Sequence, residues 1–345
     1  MKLKQWYIKL SSWEYWPMWI LYVPVFIQHF YLSIRARSLF FFLKVNPAIT
    51  EGFILSDEKH TTLKLVPESL KPKGFIISKN SSLSAIKTLL DKHSILFPII
   101  VKPNVGFRGL SVHRCENEEE LSKIDFEKAT YLVQEYIDYP VEVGIFYYRY
   151  PNEERGVIPS ITLKEFLSIK SDGTHTLSEL IKEKPRAFLH YKKLKEKFSK
   201  QWDVIFPDGE EIVLEVIGNH NRGTKFINAN AILDESLLKT FDELNTKMEG
   251  FYYGRFDIKT KSIEDLKQGK NFKILEVNGV GAEPTHIYDP NYKLIDAWKE
   301  LLFLWKVTYK IALENKKKGE EFPVFSDAKK RYLHYKNYKK IALTH

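Results

Sequence analysis

A chain of 345 residues is long enough for one large domain or two lobes around a sizeable core. Its single cysteine, Cys115, excludes an intrachain disulfide framework and fits a reducing compartment. The formal charge of +9 favours polyanions in general, but no zinc-finger or RNP signature accompanies it, so nucleic acid is not expected as a partner.

Residues 1–34 are aromatic and apolar, dominated by Trp13, Tyr15, Trp16, Trp19, Tyr22, Phe26, Phe30 and Tyr31, and Pro17 and Pro24 are expected to interrupt any regular helix. The stretch lacks a small-residue cleavage site and runs into Arg35 and Arg37, so by pattern it is not a cleavable signal peptide. Gln28 and His29 also shorten it below a clean transmembrane span. Two readings stand. Tryptophan and tyrosine favour the headgroup level of a bilayer, where Lys2, Lys4, Lys9, Arg35 and Arg37 could meet anionic lipid. Alternatively, short helices pack over the rest of the chain or against another subunit.

After the Asn46-Pro47 break, Asp57, Glu58 and Lys59 precede a short helix, and Pro67 and Pro72 bound a further segment. Residues 74–78 read as a strand and 81–93 as a helix, with Leu83, Ile86, Leu89 and Leu90 at helical spacing and Ser81 or Ser82 as cap. The run Ile99-Ile100-Val101-Lys102-Pro103 ends an apolar strand on a lysine, which is expensive to bury unless an anion meets it. Gly106 and Gly109 then allow a tight loop whose backbone N–H groups can approach phosphate, with Arg108 either a phosphate partner or a surface charge. This is not the Walker A pattern, because Lys102 precedes the glycines.

Residues 116–123 read as a short acidic surface helix, and 131–137 and 143–149 as strands. A nucleotide base could sit between such layers, Glu135 and nearby backbone receiving the adenine amino edge and Glu142 a ribose hydroxyl. Taken alone, both glutamates also read as solvated surface residues. Residues 172–176 form a turn opening a helix at 177–181, and 182–200 read as a charged, solvated helix. Asp208-Gly209 is a hairpin-type turn before a strand at 211–216. Residues 218–225 gather glycine with polar and cationic groups: Arg222 and Lys225 could hold phosphates or a substrate carboxylate, or the stretch is a surface loop.

Residues 254–258 and 272–278 both have strand character, with a Gly/Asn-containing turn between them. Side chains two apart share a face, so Arg255 and Asp257 point one way, as do Glu276 and Asn278. Oxygen ligands of this kind suit Mg²⁺ bridged to nucleotide phosphates, and Arg255 could balance phosphate or carboxylate charge. The plain alternative is a hairpin with a solvated polar face, against which Glu276 stands inside an apolar run. Residues 292–314 carry apolar positions suited to a long helix, and 329–345 form a basic, tyrosine-bearing tail.

In combination and order, these clusters resemble the ATP-grasp superfamily, and within it the D-alanine–D-alanine ligase-like and cyanophycin-synthetase-like carboxylate–amine ligases. Lys102 with Gly106, Arg108 and Gly109 is similar to the family's central lysine and small phosphate loop, and Glu135, Tyr136 and Ile137 with Glu142 to its adenosine-binding hinge. Arg255 is similar to its substrate-side arginine, and Asp257, Glu276 and Asn278 to its magnesium ligands. Lys59 resembles a second phosphate-contacting lysine, and residues 172–177 are similar to a segment of the cyanophycin-synthetase-like branch. Two features depart from the pattern. Fewer than sixty residues precede Lys59, too few for the domain that D-alanine ligases carry before the ATP-binding core, and 279–286 differ from their substrate turn.

The resemblance implies an α+β ATP-grasp fold whose two lobes enclose the nucleotide, with residues 1–50 an aromatic extension, 51–290 the core and 291–345 a C-terminal helix and basic tail. It implies ATP and Mg²⁺ as cofactors and ligation through an acyl phosphate, joining a small-molecule or peptide carboxylate to an amine or other nucleophile, with Arg255, Lys102 and Arg222 as the acting cations. The alternatives are an ATP-grasp phosphotransferase or a nucleotide-binding membrane-surface scaffold without turnover. The expected location is the cytoplasm or the inner face of a membrane, with oligomeric state left open.

Overall fold

The computed structural model describes residues 2–49, 58–105, 112–127, 129–330, 332, 333 and 336. The expectations for Asp57, Gly106, Arg108 and Gly109, and for nearly all of the basic tail beyond 330, lie outside these residues.

The aromatic extension folds as α1 (Lys2–Ser11), α2 (Met18–Leu21) and α3 (Val23–Ala36). The helix is interrupted at both prolines, as the sequence predicts: Pro17 stands at the N-cap of α2 and Pro24 in the first turn of α3, where a missing N–H costs nothing and the fixed φ suits the helix, so each proline begins a new helix. Leu21, Tyr22, Val25, Leu32 and Ala36 join the apolar run Phe41, Phe42 and Leu43 in one buried cluster. After α4 (Lys59–Lys64), the first lobe follows as β1 (Gly74–Ile77), α5 (Leu83–His93), β2 (Ile99–Pro103), β3 (His113–Cys115), α6 (Glu118–Ser122) and β4 (Tyr131–Glu135). Its four strands lie in the order β1-β4-β2-β3, every pair antiparallel. Ser82 accepts from the Ala85 N–H at 3.2 Å, capping α5, whose Ile86 and Leu90 pack on Phe75, Ile77, Ile99 and Val101.

The second lobe begins with β5 (Val141–Tyr148), β6 (Val157–Glu165) and β7 (Ser168–Lys170), followed by α7 (Leu177–Glu183), α8 (Pro185–Phe188) and α9 (Tyr191–Lys197). It continues through β8 (Glu211–Val213), β9 (Lys225–Asn228), α10 (Glu235–Thr246), β10 (Tyr253–Thr260), α11 (Ile263–Lys267) and β11 (Phe272–Asn278) to α12 (Leu294–Lys317). Five strands form an antiparallel sheet in the order β11-β10-β5-β6-β9. One face of it buries Val143, Ile145, Phe256, Ile258 and Ile274 with Phe241 of α10. The alternation of strand side chains leaves the other face to the polar residues described below.

Two expectations are corrected. The charged stretch 182–200 is not one solvated helix: Pro185 restarts it as α8, and Ala187, Phe188 and Leu194 are buried, Ala187 and Leu194 against Leu177, Ile181 and Trp202. The strand after Asp208-Gly209 stops at Val213 and pairs with β7 across the whole insertion between them, so the Gly209 turn (φ 83°) does not join two neighbouring strands. α12 packs along α3 and buries Leu301, Leu304, Trp305 and Ile311 in the cluster that holds the extension.

Candidate active site

β10 and β11 pair as the sequence predicts, with Arg255 opposite Asn278 and Asp257 opposite Glu276. Neighbouring strands extend this polar face: Gly144 of β5 lies opposite Asp257 on one side and opposite Thr162 of β6 on the other. A lone carboxylate on such a buried surface would be costly, and here it is compensated several times over. Asp257 Oδ2 accepts from Arg255 Nη2 at 3.1 Å and Asn278 Nδ2 at 3.0 Å, while Oδ1 lies 3.0 Å from Lys164 Nζ. Burial alone would raise the Asp257 carboxyl, but the charges of Arg255 and Lys164 outweigh it and hold the pKa well below the carboxylate range.

Lys164 was not singled out from the sequence, yet it sits at the centre of the site. Its Nζ bridges Asp257 to Glu142, donating to Glu142 Oε1 at 2.7 Å, and its side chain is only 7% exposed. Burial would lower this ammonium; the two carboxylates overcome that and raise its pKa well above the usual lysine value. A legible signal existed, since Ser160, Thr162 and Lys164 recur at period two in an otherwise apolar strand, the mark of a strand with one face on a polar site. Gly218 closes over the same pair. A Cβ there would fall on the Glu142 carboxylate, so the backbone can approach this closely only with glycine.

The first lobe supplies the facing wall. Lys102, at the end of β2, reaches across to donate to the Leu275 carbonyl of β11 at 3.1 Å. Burial pushes its pKa down to about 8, the charge of Glu276 opposing the fall and that of Lys59 adding to it. Lys59 is also buried, and its Nζ lies 4.0 Å from Glu276 Oε1. Glu135, Tyr136 and Ile137 line the same cavity. Glu135 Oε1 accepts from the Lys73 N–H at 2.9 Å, the Ile137 carbonyl accepts from Lys259 Nζ at 2.9 Å, and the Tyr136 ring lies between Arg114 and Lys259. The cleft has a volume of about 850 Å³.

The far end of the cavity is built by residues that no sequence motif marked. Trp13, Tyr15, Trp16 and Met18 of the extension line it. Between them Glu14 turns inward, accepting from Arg186 Nη2 at 2.8 and 2.7 Å and lying 2.9 Å from His220 Nε2. Burial would raise this carboxyl, but the His220 hydrogen bond and the Arg186 charge hold it below its ordinary value. Glu283 accepts from the Tyr22 and Tyr288 hydroxyls at 2.5 and 2.9 Å, and its backbone carbonyl accepts from Arg255 Nη1 at 3.2 Å. Arg222 stands apart from this group. Its Nη1 lies 3.5 Å from Glu215 and its Nη2 donates to the Val112 carbonyl at 3.4 Å, and it does not line the cavity.

Among the described residues no three His, Cys, Asp or Glu side chains form a metal-binding cluster. Two carboxylates and an amide on facing strands nonetheless fit Mg²⁺, which takes one or two carboxylates and completes its shell with waters and phosphate oxygens. Glu276 is more open than Asp257, with its side chain 31% exposed against 12%. Arg255 Nε is buried without a hydrogen-bond partner among the described residues, a donor suited to an oxyanion.

A nucleotide-sized cleft between two antiparallel α+β lobes, with lysines on one wall and carboxylates on the other, defines a protein of the ATP-grasp fold. Residues 56–145 match the model of the RimK-like ATP-grasp domain. Similar solved structures include a bifunctional glutathione synthetase from Pasteurella multocida, at 16% identity and TM-score 0.40 over 71% of this chain and 36% of that one. Others are the D-alanine–D-alanine ligase from Bacillus anthracis complexed with ATP, at 15% identity and TM-score 0.43 over 76% and 68%, and the VanG D-Ala:D-Ser ligase from Enterococcus faecalis, at 14% and 0.40 over 73% and 62%. The chain thus spans about a third of the synthetase and about two-thirds of the two ligases. No curated protein matches the sequence.

Proposed function

We propose that this protein is an ATP- and magnesium-dependent carboxylate–amine ligase that works through an acyl phosphate. The observation that carries the reading is the convergence of Arg255, Asp257, Glu276 and Asn278 from one hairpin on a cavity whose opposite wall presents Lys102 and Lys59. In this reading residues 51–290 form the catalytic core, and the extension with the 291–345 region braces it.

Glu135, Tyr136 and Ile137 receive the adenine edge, and Glu142, held by Lys164, faces the ribose. Lys102 and Lys59 hold the phosphates, and Gly106, Arg108 and Gly109 are assigned to the same role on the sequence resemblance. Asp257, Glu276 and Asn278 hold Mg²⁺, and the chemistry a bound Mg²⁺ supplies there is neutralisation of charge on the transferring phosphoryl oxygens. Arg255, anchored by Asp257 and the Glu283 carbonyl, keeps its free Nε for the substrate carboxylate. That carboxylate attacks the γ-phosphorus and ADP leaves. An amine or other nucleophile then adds to the acyl carbon, and inorganic phosphate departs. Glu215 holds Arg222, which would reach the carboxylate only by loop movement, so its role is secondary.

The test is ADP release from ATP and Mg²⁺ over pooled small and peptide carboxylates, with hydroxylamine present to trap the acyl phosphate. Acid-dependent ADP release with hydroxamate formation is expected. ADP release without hydroxamate would overturn the acyl phosphate in favour of phosphoryl transfer to a stable product.

A further inference from the structure

α3 is apolar on two faces. Its inner face packs on α12, while Val23, Phe26, Ile27, Phe30, Tyr31 and Ile34 run along the outside at helical spacing, each between 48% and 70% exposed. α1 repeats the pattern: Leu3, Trp6, Tyr7 and Leu10 are all more than half exposed, and none of its residues is buried. A helix on a protein surface normally turns its apolar stripe to the core, and exposed apolar stripes of this kind mark docking surfaces.

The charges around the patch identify its occupant. Between residues 2 and 49 the only acidic residue is Glu14, and it is turned inward onto Arg186 and His220. The outer surface therefore carries Lys2, Lys9, Arg35 and Arg37 with no anion of its own, so a second copy would meet it with like charge. Tryptophan and tyrosine among the exposed side chains suit the interfacial level of a bilayer, and Arg35 lies over the Tyr31 ring. Among the described residues no helix is long and apolar enough to cross a membrane, so the geometry is that of helices lying in the interface.

We propose that the outer faces of α1 and α3 form an interfacial docking surface for an anionic lipid membrane. The same extension lines the far end of the cavity through Trp13, Tyr15 and Trp16. The proposal stands independently of the ligase reading, because it concerns the outside of the extension.

The experiment is co-sedimentation of the full chain with vesicles of phosphatidylcholine containing phosphatidylglycerol and with vesicles of phosphatidylcholine alone. Binding to the mixed vesicles is expected, weaker on neutral vesicles, and lost in Ile27→Glu/Phe30→Glu, two exposed positions whose change leaves the thermal midpoint in place. Arg35→Gln/Arg37→Gln should weaken binding to the mixed vesicles by about tenfold or more. Folded protein that binds neither vesicle, or a glutamate variant that binds as the native chain does, would overturn the proposal. So would a native dimer in light scattering that the glutamate variant dissociates, which would assign the face to a second copy.

Discussion

At the hairpin end of the cavity, Arg255 and Asp257 stand two residues apart on one strand and pair at 3.1 Å, whereas at the extension end Glu14 meets Arg186 and His220 across 172 and 206 residues of chain. Both ends bury charge and both satisfy it, but the first does so with neighbours on an antiparallel sheet and the second with contacts that exist only once the chain is folded. Local construction suits a site that must hold one geometry for phosphate chemistry. The distant construction ties the extension, the α7–α9 insertion and the His220 loop into one wall, which suits recognition of a particular substrate. The two ends should then respond differently to mutation.

The largest effect is expected at Asp257. Asp257→Asn removes the charge that Lys164 and Arg255 share, so ADP release should fall by at least about a thousandfold and stability by about 3–5 kcal/mol, read from steady-state assay and urea unfolding. Lys102→Met separates chemistry from stability. It should lose turnover to a similar degree, yet hold or raise the thermal midpoint, because burial already disfavours the charged Lys102. A variant that unfolds would break the contrast between a costly functional cation and a structural ion pair.

At the extension end the expected effect is smaller and of another kind. Glu14→Gln should raise the KM for the acceptor substrates by about tenfold while nucleotide affinity stays unchanged, since Glu14 pairs with Arg186 and His220 at the extension end of the cavity. An equal loss of ATP affinity would show that the two ends are not separable. The smallest effect is a proton. The folded Lys102, with its pKa near 8, binds fewer protons than its unfolded counterpart between about pH 8 and the ordinary 10.5, so this group makes stability rise with pH across that window. A bound triphosphate restores the charge, so nucleotide binding in that window should take up a fraction of a proton, measured by calorimetry in buffers of different ionisation enthalpy and absent in Lys102→Met.

What could be read from the sequence follows the same division. Arg255, Asp257, Glu276 and Asn278 were legible because strand alternation fixes their face, and the two strands pair across the connection that carries α11. Lys102 was legible as a lysine ending an apolar strand, and the same argument applied to Lys164 would have found the cation that joins Asp257 to Glu142. Pro24 was legible as a helix break, and the fold adds that it begins a helix by standing in the first turn of α3. The contacts of Glu14 and of Glu283 with Tyr22 had no local signature, since their partners are set by how the lobes, insertion and extension pack together.

The most direct test of the hairpin as a Mg²⁺-nucleotide site needs no knowledge of the acceptor. It is a calorimetric titration of a non-hydrolysable ATP analogue into the full chain, with Mg²⁺ and with chelator, for the native protein and for Glu276→Gln. The expected result is saturable one-site binding that requires Mg²⁺ and weakens by about tenfold or more in the variant. Binding that is indifferent to both metal and variant, or no saturable binding, would contradict it.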